Sequence, residues 1–257
     1  MLENAPWGPA TCVRGQRTFC CITEGPGPGS LDHASPMSRR LLPIALALPA
    51  FAGCILNVHT IFGNGVADSE EREVDEFDRV DVSEAVHLEI DIDPDATGTV
   101  TLSVEGDSNL IEHVETEVRD GTLFVSTNTN VHPDLDLVVR AAVPSLVGAQ
   151  VVDAASLEGR GIDVDTFELD VADASTVDLD GRASALEVSV TDAASGKLLG
   201  FEVGDAHVRL RSAAHLDLCA TGNVTGSVSD ASSLDIYCNP ADVDVEVSDA
   251  SEVDIHD

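Results

Sequence analysis

Through the C-terminal half of the chain apolar residues fall at every second position, and this alternation is phased by a recurring Asp-Ala-(Ala/Ser) step. The step begins at Asp153, Asp173, Asp192, Asp230 and Asp249, with Ser212 in the Asp place of one further copy, at separations of 20, 19, 20, 18 and 19 residues. Two residues before each copy stand Val151, Val171, Val190, Leu210, Val228 and Val247. Four residues after each start come Leu157, Val177, Gly196, Leu216, Leu234 and Val253. Two further on stand Gly159, Leu179, Leu198, Leu218, Ile236 and Ile255. Branched aliphatics at period two mean strands. A period near 19 means repeats that bury their apolar face only by stacking on their neighbours. At about 3.3 Å per residue such a repeat traces roughly 60 Å, the perimeter of a small closed coil. The expectation is an all-β fold, a parallel β-helix (solenoid) with coils of about 19 residues. In it each turn hydrogen-bonds to the next at about 4.8 Å. An antiparallel sandwich, whose strands also turn every 8–12 residues or so, is the alternative. The residue after each start is always Ala (Ala154, Ala174, Ala193, Ala213, Ala231, Ala250), and this column is expected to fill a tight, packed corner of the core.

Upstream the pattern also reads as strands, over Phe77–Val82, Val86–Ile92, Thr99–Val104, Val114–Val118, Thr122–Thr127 and Leu135–Val143. Turn residues separate them at Asp93-Pro94-Asp95, Glu105-Gly106-Asp107 and Asp120-Gly121, the last a strong hairpin signal. No segment has a helical period. Asn57 to Asp75 is polar and acidic and reads as a solvated spacer.

The N-terminal part reads as a targeting segment. Ser38-Arg39-Arg40 supplies a positive start, Leu41 to Ala52 an apolar run too short to span a membrane permanently, and Ala52-Gly53-Cys54 a small-small-Cys ending. Residues 37–53 thus resemble a lipoprotein signal peptide, with Cys54 the lipidated first residue of the mature chain; Phe51 departs from the usual Leu. The arginine pair also resembles a twin-arginine export signal. A plain cleaved signal with an incidental cysteine is the alternative. Residues 1–36 precede this segment and are expected to be an upstream extension from a start codon assigned too early, with residues 54–75 the anchored spacer and 76–257 the folded domain.

The ordered motifs also carry a family resemblance. Phe77-Asp78-Arg79-Val80-Asp81-Val82-Ser83, Val104-Glu105-Gly106-Asp107-Ser108-Asn109-Leu110, Val114 to Val118, Gly121-Thr122-Leu123, and Val143-Pro144-Ser145-Leu146 entering the repeats resemble the head GIN domain family, catalogued as "putative autotransporter adhesin". The resemblance covers about residues 75 to 257 and implies a right-handed parallel β-helix on exported, often lipid-anchored envelope proteins. One departure is systematic. The family repeat commonly reads Ser-Gly-Ala-Ser, whereas Asp stands here where Gly is expected, as in Asp173-Ala174-Ser175. Gly and Asp share tolerance of a left-handed backbone, so the column is expected to bend with φ above zero.

Charge and cysteines narrow the chemistry. The chain has 47 acidic against 13 basic residues and Lys197 as its one lysine. A surface of that sign repels nucleic acid and excludes it as a partner. Cys219 and Cys238 lie 19 residues apart, one coil, and are a candidate disulfide, although Cys219 aligns with Tyr237 on the repeat. Asp153, Asp173, Asp192, Asp230 and Asp249 would form a carboxylate ladder, and a weak Ca²⁺ ladder is weighed against solvated turns enriched in Asp. No other cofactor is implied. The histidines, His87, His113, His207 and His215 among them, show no His-x-His or His-Glu-x-x-His spacing and read as strand or loop positions. No nucleophile elbow, phosphate loop or dinucleotide fingerprint is present. The expected function is a non-catalytic, exported module of the cell envelope or outer surface, lipid-anchored to the membrane, in adhesion or in binding a glycan or envelope protein. The alternative is a carbohydrate-active β-helix enzyme, a polysaccharide lyase or hydrolase.

Overall fold

The computed structural model describes residues 60–256; the proposed signal segment, Cys54, and the leader cysteines Cys12, Cys20 and Cys21 lie outside them. Strands β1 (Thr60–Phe62), β2 (Ala67–Val74), β3 (Arg79–Val82) and β4 (His87–Ile92) are followed by β5 (Val100–Asp107) and a 3-10 turn, Ile111–His113. Next come β6 (Val114–Arg119), β7 (Thr122–Thr127), β8 (Asn130–His132), β9 (Val138–Val143) and β10 (Gly148–Val151). The long strands β11 (Ser156–Val171), β12 (Thr176–Thr191) and β13 (Ser195–Arg211) each run through most of one coil. The final coils are split into β14 (His215–Ala220), β15 (Asn223–Val228), β16 (Ser233–Tyr237), β17 (Asp242–Val247) and β18 (Glu252–Ile255).

These strands stack into an all-β solenoid of about 5 turns. Each coil contributes one segment to each of two main faces. The first face carries the first halves of β11, β12 and β13, continued by β14, β16 and β18 and joined on its other side by β4 and β9, all parallel. The second carries the later halves of the long strands with β15 and β17, joined by β10, β3 and β7. Bulges between the faces absorb the uneven period: Leu198 pairs with Leu218, but Glu202 pairs with Cys219. Leu199, in the slack of that bulge, is exposed.

The interior is the alternate row of each strand. Leu157, Val177, Leu216 and Leu234 form one buried ladder, Leu169, Val188 and Val208 another, and Phe167 meets Phe201 edge to face at 5.5 Å. Two glycines permit backbone approach inside the coils: a Cβ on Gly181 (φ 134°) would lie 2.1 Å from the Ile162 carbonyl oxygen, and one on Gly226 (φ 136°) 1.8 Å from that of Val208.

Antiparallel strands cover the N-terminal side. β6 and β7 form the hairpin expected at Asp120-Gly121, both residues at positive φ, and β5 pairs antiparallel with β9 and β2. The acidic stretch read as a spacer is therefore corrected: β2 runs from Ala67 opposite Asp107 to Val74 opposite Val100. Its exposed residues lack a two-sided apolar alternation, but main-chain pairing is indifferent to that, and Arg72 crosses from β2 to donate to the carbonyls of Val114 and Ile111 at 2.6 and 2.9 Å. Asp107, fully buried, closes this region by accepting backbone N–H bonds from Gly65 (2.6 Å), Asp134 (2.9 Å) and Leu135 (2.9 Å). Those donors, the Leu135 N–H foremost, hold its carboxyl below the usual range against the opposing pull of burial.

Candidate functional surface

The corners come first, because they carry the predicted carboxylate column. Asp153, Asp173, Asp192, Asp230 and Asp249, together with Ser212, have φ between 52° and 63°, and the following Ala takes φ of 60° or 61° in every copy. The bend is thus two consecutive left-handed residues. In every copy but the last the Ala N–H donates to the carbonyl of the next coil's corner, Ala154 to Asp173 and Ala213 to Asp230 among them, at 2.8–3.0 Å. A left-handed pair throws both side chains outward, so the invariant Ala column is exposed and the expectation that it packs in the core is corrected. The residue after it fills the corner: Ala155, Ser175, Ala194, Ala214 and Ser232 are buried. An earlier copy, Glu84-Ala85 at φ 64° and 60°, whose Ala85 N–H donates to the Asp153 carbonyl, went unnoticed in the sequence because it stands far from the Asp153-Ala154 copy and Glu replaces Asp.

The corner carboxylates stand on the outside. Thr191 donates to the Asp192 carboxylate at 3.0 Å and Ser229 to that of Asp230 at 3.3 Å. Among the described residues, the groups of three or more side chains able to converge on one metal ion lie elsewhere and include none of the five Asp.

Those groups lie on the first main face. Parallel, in-register stacking carries each outward residue into a row across the coils. One row runs His87, Ser156, Thr176, Ser195, His215 and Ser233; the adjacent row runs Glu89, Glu158, Asp178, Lys197, Asp217 and Asp235. The two histidines of the first row sit alike. His87 Nδ1 is 2.5 Å from Ser156 Oγ with Nε2 3.4 Å from Glu89, and His215 Nδ1 is 2.8 Å from Ser233 Oγ with Nε2 3.5 Å from Asp217.

Their electrostatic settings differ. At the His87 end Arg140 grips Glu89 through Nε at 2.8 Å, reaches Glu105 at 2.5 Å, and Arg160 pairs with Glu158. The Arg140 hydrogen bond pulls the Glu89 carboxyl below its ordinary range, outweighing burial. At the His215 end the ion pairs recorded for Asp217 and Asp235 are with imidazoles: Asp235 is 3.8 Å from His215 Nδ1 and 2.7 Å from His256 Nε2. The side chains of Asp217 and Asp235 are only 20% and 23% exposed. His256 stacks flat on Tyr237, ring centroids 4.4 Å apart. Burial, then the charges of Asp217 and Asp235, raise the Tyr237 phenol pKa.

Beside this cluster Cys219 and Cys238 form a disulfide, Cα atoms 5.1 Å apart. Cys219 does pair in register with Tyr237, but Cys238 and Asn239 follow as a left-handed pair (φ 71° and 57°), and that corner brings the Cys238 sulfur to Cys219. The histidine clusters were missed in the sequence because their partners are assembled across coils. The legible signal was a histidine two residues before a carboxylate, His215 and Asp217, with Asp235 in the same row one coil later.

The family model described as "Putative auto-transporter adhesin, head GIN domain" matches residues 76–240. A solved putative adhesin from Bacteroides fragilis is similar in structure, with a TM-score of 0.65 at 14% identity, covering 76% of this chain and all (100%) of that one. A putative lipid binding protein from Parabacteroides distasonis (TM-score 0.49, 15% identity, 77% of this chain and 100% of that one) and a putative adhesin from Parabacteroides merdae (TM-score 0.48, 14% identity, 77% and 99%) are also similar. Among curated proteins none matches the chain.

Proposed function

The chain belongs to the head GIN domain family, whose model spans most of its coils, and from that premise we propose that it is a non-catalytic, exported, lipid-anchored module of the cell envelope that adheres to a glycan or protein component of that envelope. The observation that carries the reading is that the family match, residues 76–240, covers all of the stacked coils and their repeating outer rows except the last strands, β17 and β18. A rod of in-register strands offers a long regular surface, which suits extended contact with a polymeric or repetitive partner. The Cys219–Cys238 bond suits an oxidising compartment outside the cytoplasm. Anchoring at Cys54 belongs to this proposal: multiple acyl chains hold a protein stably where one does not.

The experiment is a binding screen of the purified protein against envelope glycans and envelope proteins, with polysaccharide turnover measured in parallel. Saturable binding without turnover is expected, weakened by charge reversal at Asp178 on the first face. Polysaccharide cleavage, or no binding to any envelope component, overturns the reading. Independently, Cys54→Ala is expected to release the protein from the membrane fraction; unchanged retention removes the lipid anchor from the proposal.

A further inference from the structure

The geometry points to a transition-metal site that the adhesion reading does not require: we propose that His215, Asp217 and Asp235 bind a divalent cation of the zinc class, with His256 positioning Asp235. The donor set is one imidazole nitrogen and two carboxylates, each from an outward row, brought within 4.8 Å of one another by two adjacent coils. Imidazole with carboxylate selects zinc and its first-row neighbours over calcium, which takes oxygen ligands and six to eight of them.

Three features support an ion there. The spacing is the first. Two donors held about 2.0–2.1 Å from a tetrahedral ion lie roughly 3.3–3.4 Å from each other. The 3.5 Å between His215 Nε2 and Asp217 Oδ1 is too long for an ordinary N–H to oxygen bond and close to that ligand edge. The second is the state of the imidazole. Ser233 Oγ lies 2.8 Å from Nδ1, so in the tautomer whose Nδ1–H donates to that oxygen Nε2 has its lone pair free on the Asp217 side. Such an outer partner fixes the tautomer of metal-binding histidines generally.

The third is a comparison internal to the fold. His87, Glu89 and Glu158 repeat the arrangement on the same rows, with Ser156 in the place of Ser233. There, Arg140 and Arg160 already neutralise the two carboxylates. A cation approaching Glu89 would have to displace a two-point guanidinium contact (2.8 and 3.2 Å). At the second cluster the positive partners recorded for Asp217 and Asp235 are imidazoles, which carry charge only when protonated. Asp217 and Asp235 are neighbours in one row with side chains about three-quarters covered, and Lys197, in register on the other side of Asp217, makes no ion pair with it among the described residues. Three protein ligands leave a fourth tetrahedral position for water or for a donor from another molecule.

His256 lies outside the group of three but touches Asp235 at 2.7 Å, and Tyr237 holds its ring by stacking. Its part is to orient the ligating carboxylate. Losing such a partner lowers metal affinity about 10–100-fold in general.

The test is a titration of the metal-stripped full chain with Zn²⁺, read by calorimetry and by histidine ring NMR. Because Cys12, Cys20, Cys21 and Cys54 are also present, the decisive quantity is the difference between variants. His215→Gln, and separately Asp217→Asn with Asp235→Asn, are expected to lose one zinc equivalent relative to the unaltered chain. His256→Gln is expected to keep the equivalent with affinity lowered about 10–100-fold, and Glu89→Gln with Glu158→Gln to change nothing. Zinc is expected to shift the His215 ring signals of the unaltered protein and to leave those of His87 in place, with millimolar calcium unable to reverse the shift. The ring signals serve even where a variant folds poorly. Equal zinc uptake by the His215→Gln variant, an unmoved His215 ring, or displacement by calcium overturns the proposal.

Discussion

Ala193 and Ala194 are chemically identical neighbours on opposite sides of the wall, the first exposed at φ 61° and the second 1% exposed. A left-handed alanine costs about 1–2 kcal/mol relative to the right-handed form. Every corner that has a following coil offsets part of that with an inter-coil hydrogen bond, here from Ala193 to the carbonyl of Ser212 at 2.9 Å. Ala194→Leu should therefore destabilise by about 1–3 kcal/mol through overpacking, while Ala193→Leu should stay within about 0.5 kcal/mol of the parent in thermal melts. An equal loss in both would place the wall elsewhere. Strand alternation was legible in the sequence, but at a left-handed pair it skips a beat. An invariant small residue reads the same whether the limit on it is core volume or an exposed backbone bend. Asp107 makes a separate prediction. Its folded pKa is depressed, so its contribution to stability is present above the ordinary aspartate value near 3.9 and is lost as the pH falls through the folded value. Asp107→Asn should lower stability at neutral pH and flatten the acid limb of a denaturation series; parallel pH profiles for the two proteins would contradict this.

The coil closed by Cys219 and Cys238 carries a covalent tie across a sequence separation of 19. Closing a loop of that order constrains the unfolded chain by about 3 kcal/mol. Reduction, or Cys238→Ser, should lower the melting temperature accordingly, and an unchanged melt under reductant would mean the tie adds nothing. The strands expected over Val86–Ile92, Val114–Val118 and Thr122–Thr127 were legible because their inward residues alternate, as Leu88 and Ile90 do. β2 was not, because its residues from Ala67 to Glu71 are all exposed and its place is decided by main-chain bonds to β5. The histidine clusters were hidden for a related reason: the repeat gives the rows, but which of two similar clusters keeps arginine partners depends on Arg140 of β9 and Arg160 of β11.

At the scale of the whole molecule the formal charge is −34. Parallel stacking multiplies the effect by placing carboxylates in rows, along the first face and at the corners, where neighbours about 5 Å apart repel by roughly 1 kcal/mol in water. Screening relieves that repulsion, so stability should rise with added sodium chloride over the range in which the Debye length falls from about 10 Å to about 3 Å. The corner Asp residues are exposed and join no group of three, so calcium and sodium at matched ionic strength should act alike on Asp173→Asn with Asp192→Asn and on the parent. A calcium excess in the parent that vanishes in the double variant would instead assign specific binding to the corner column.

The slack beside Leu199 and Gly200 has a bearing on how such a chain can change over generations. Both main faces keep their register across that bulge, with Ser195 opposite His215 before it and Ala206 opposite Val224 after it, although the intervening lengths differ. One side of the rod therefore tolerates gain and loss of residues while the remainder is held to count. A short Gly-Ser insertion after Leu199 should leave the melting temperature close to the parent's, whereas the same insertion between Asp192 and Ala193 should unfold the neighbouring turns. Novel loops, whether evolved or grafted, have a ready place of attachment there, and a lineage could vary what it displays without redesigning what supports it.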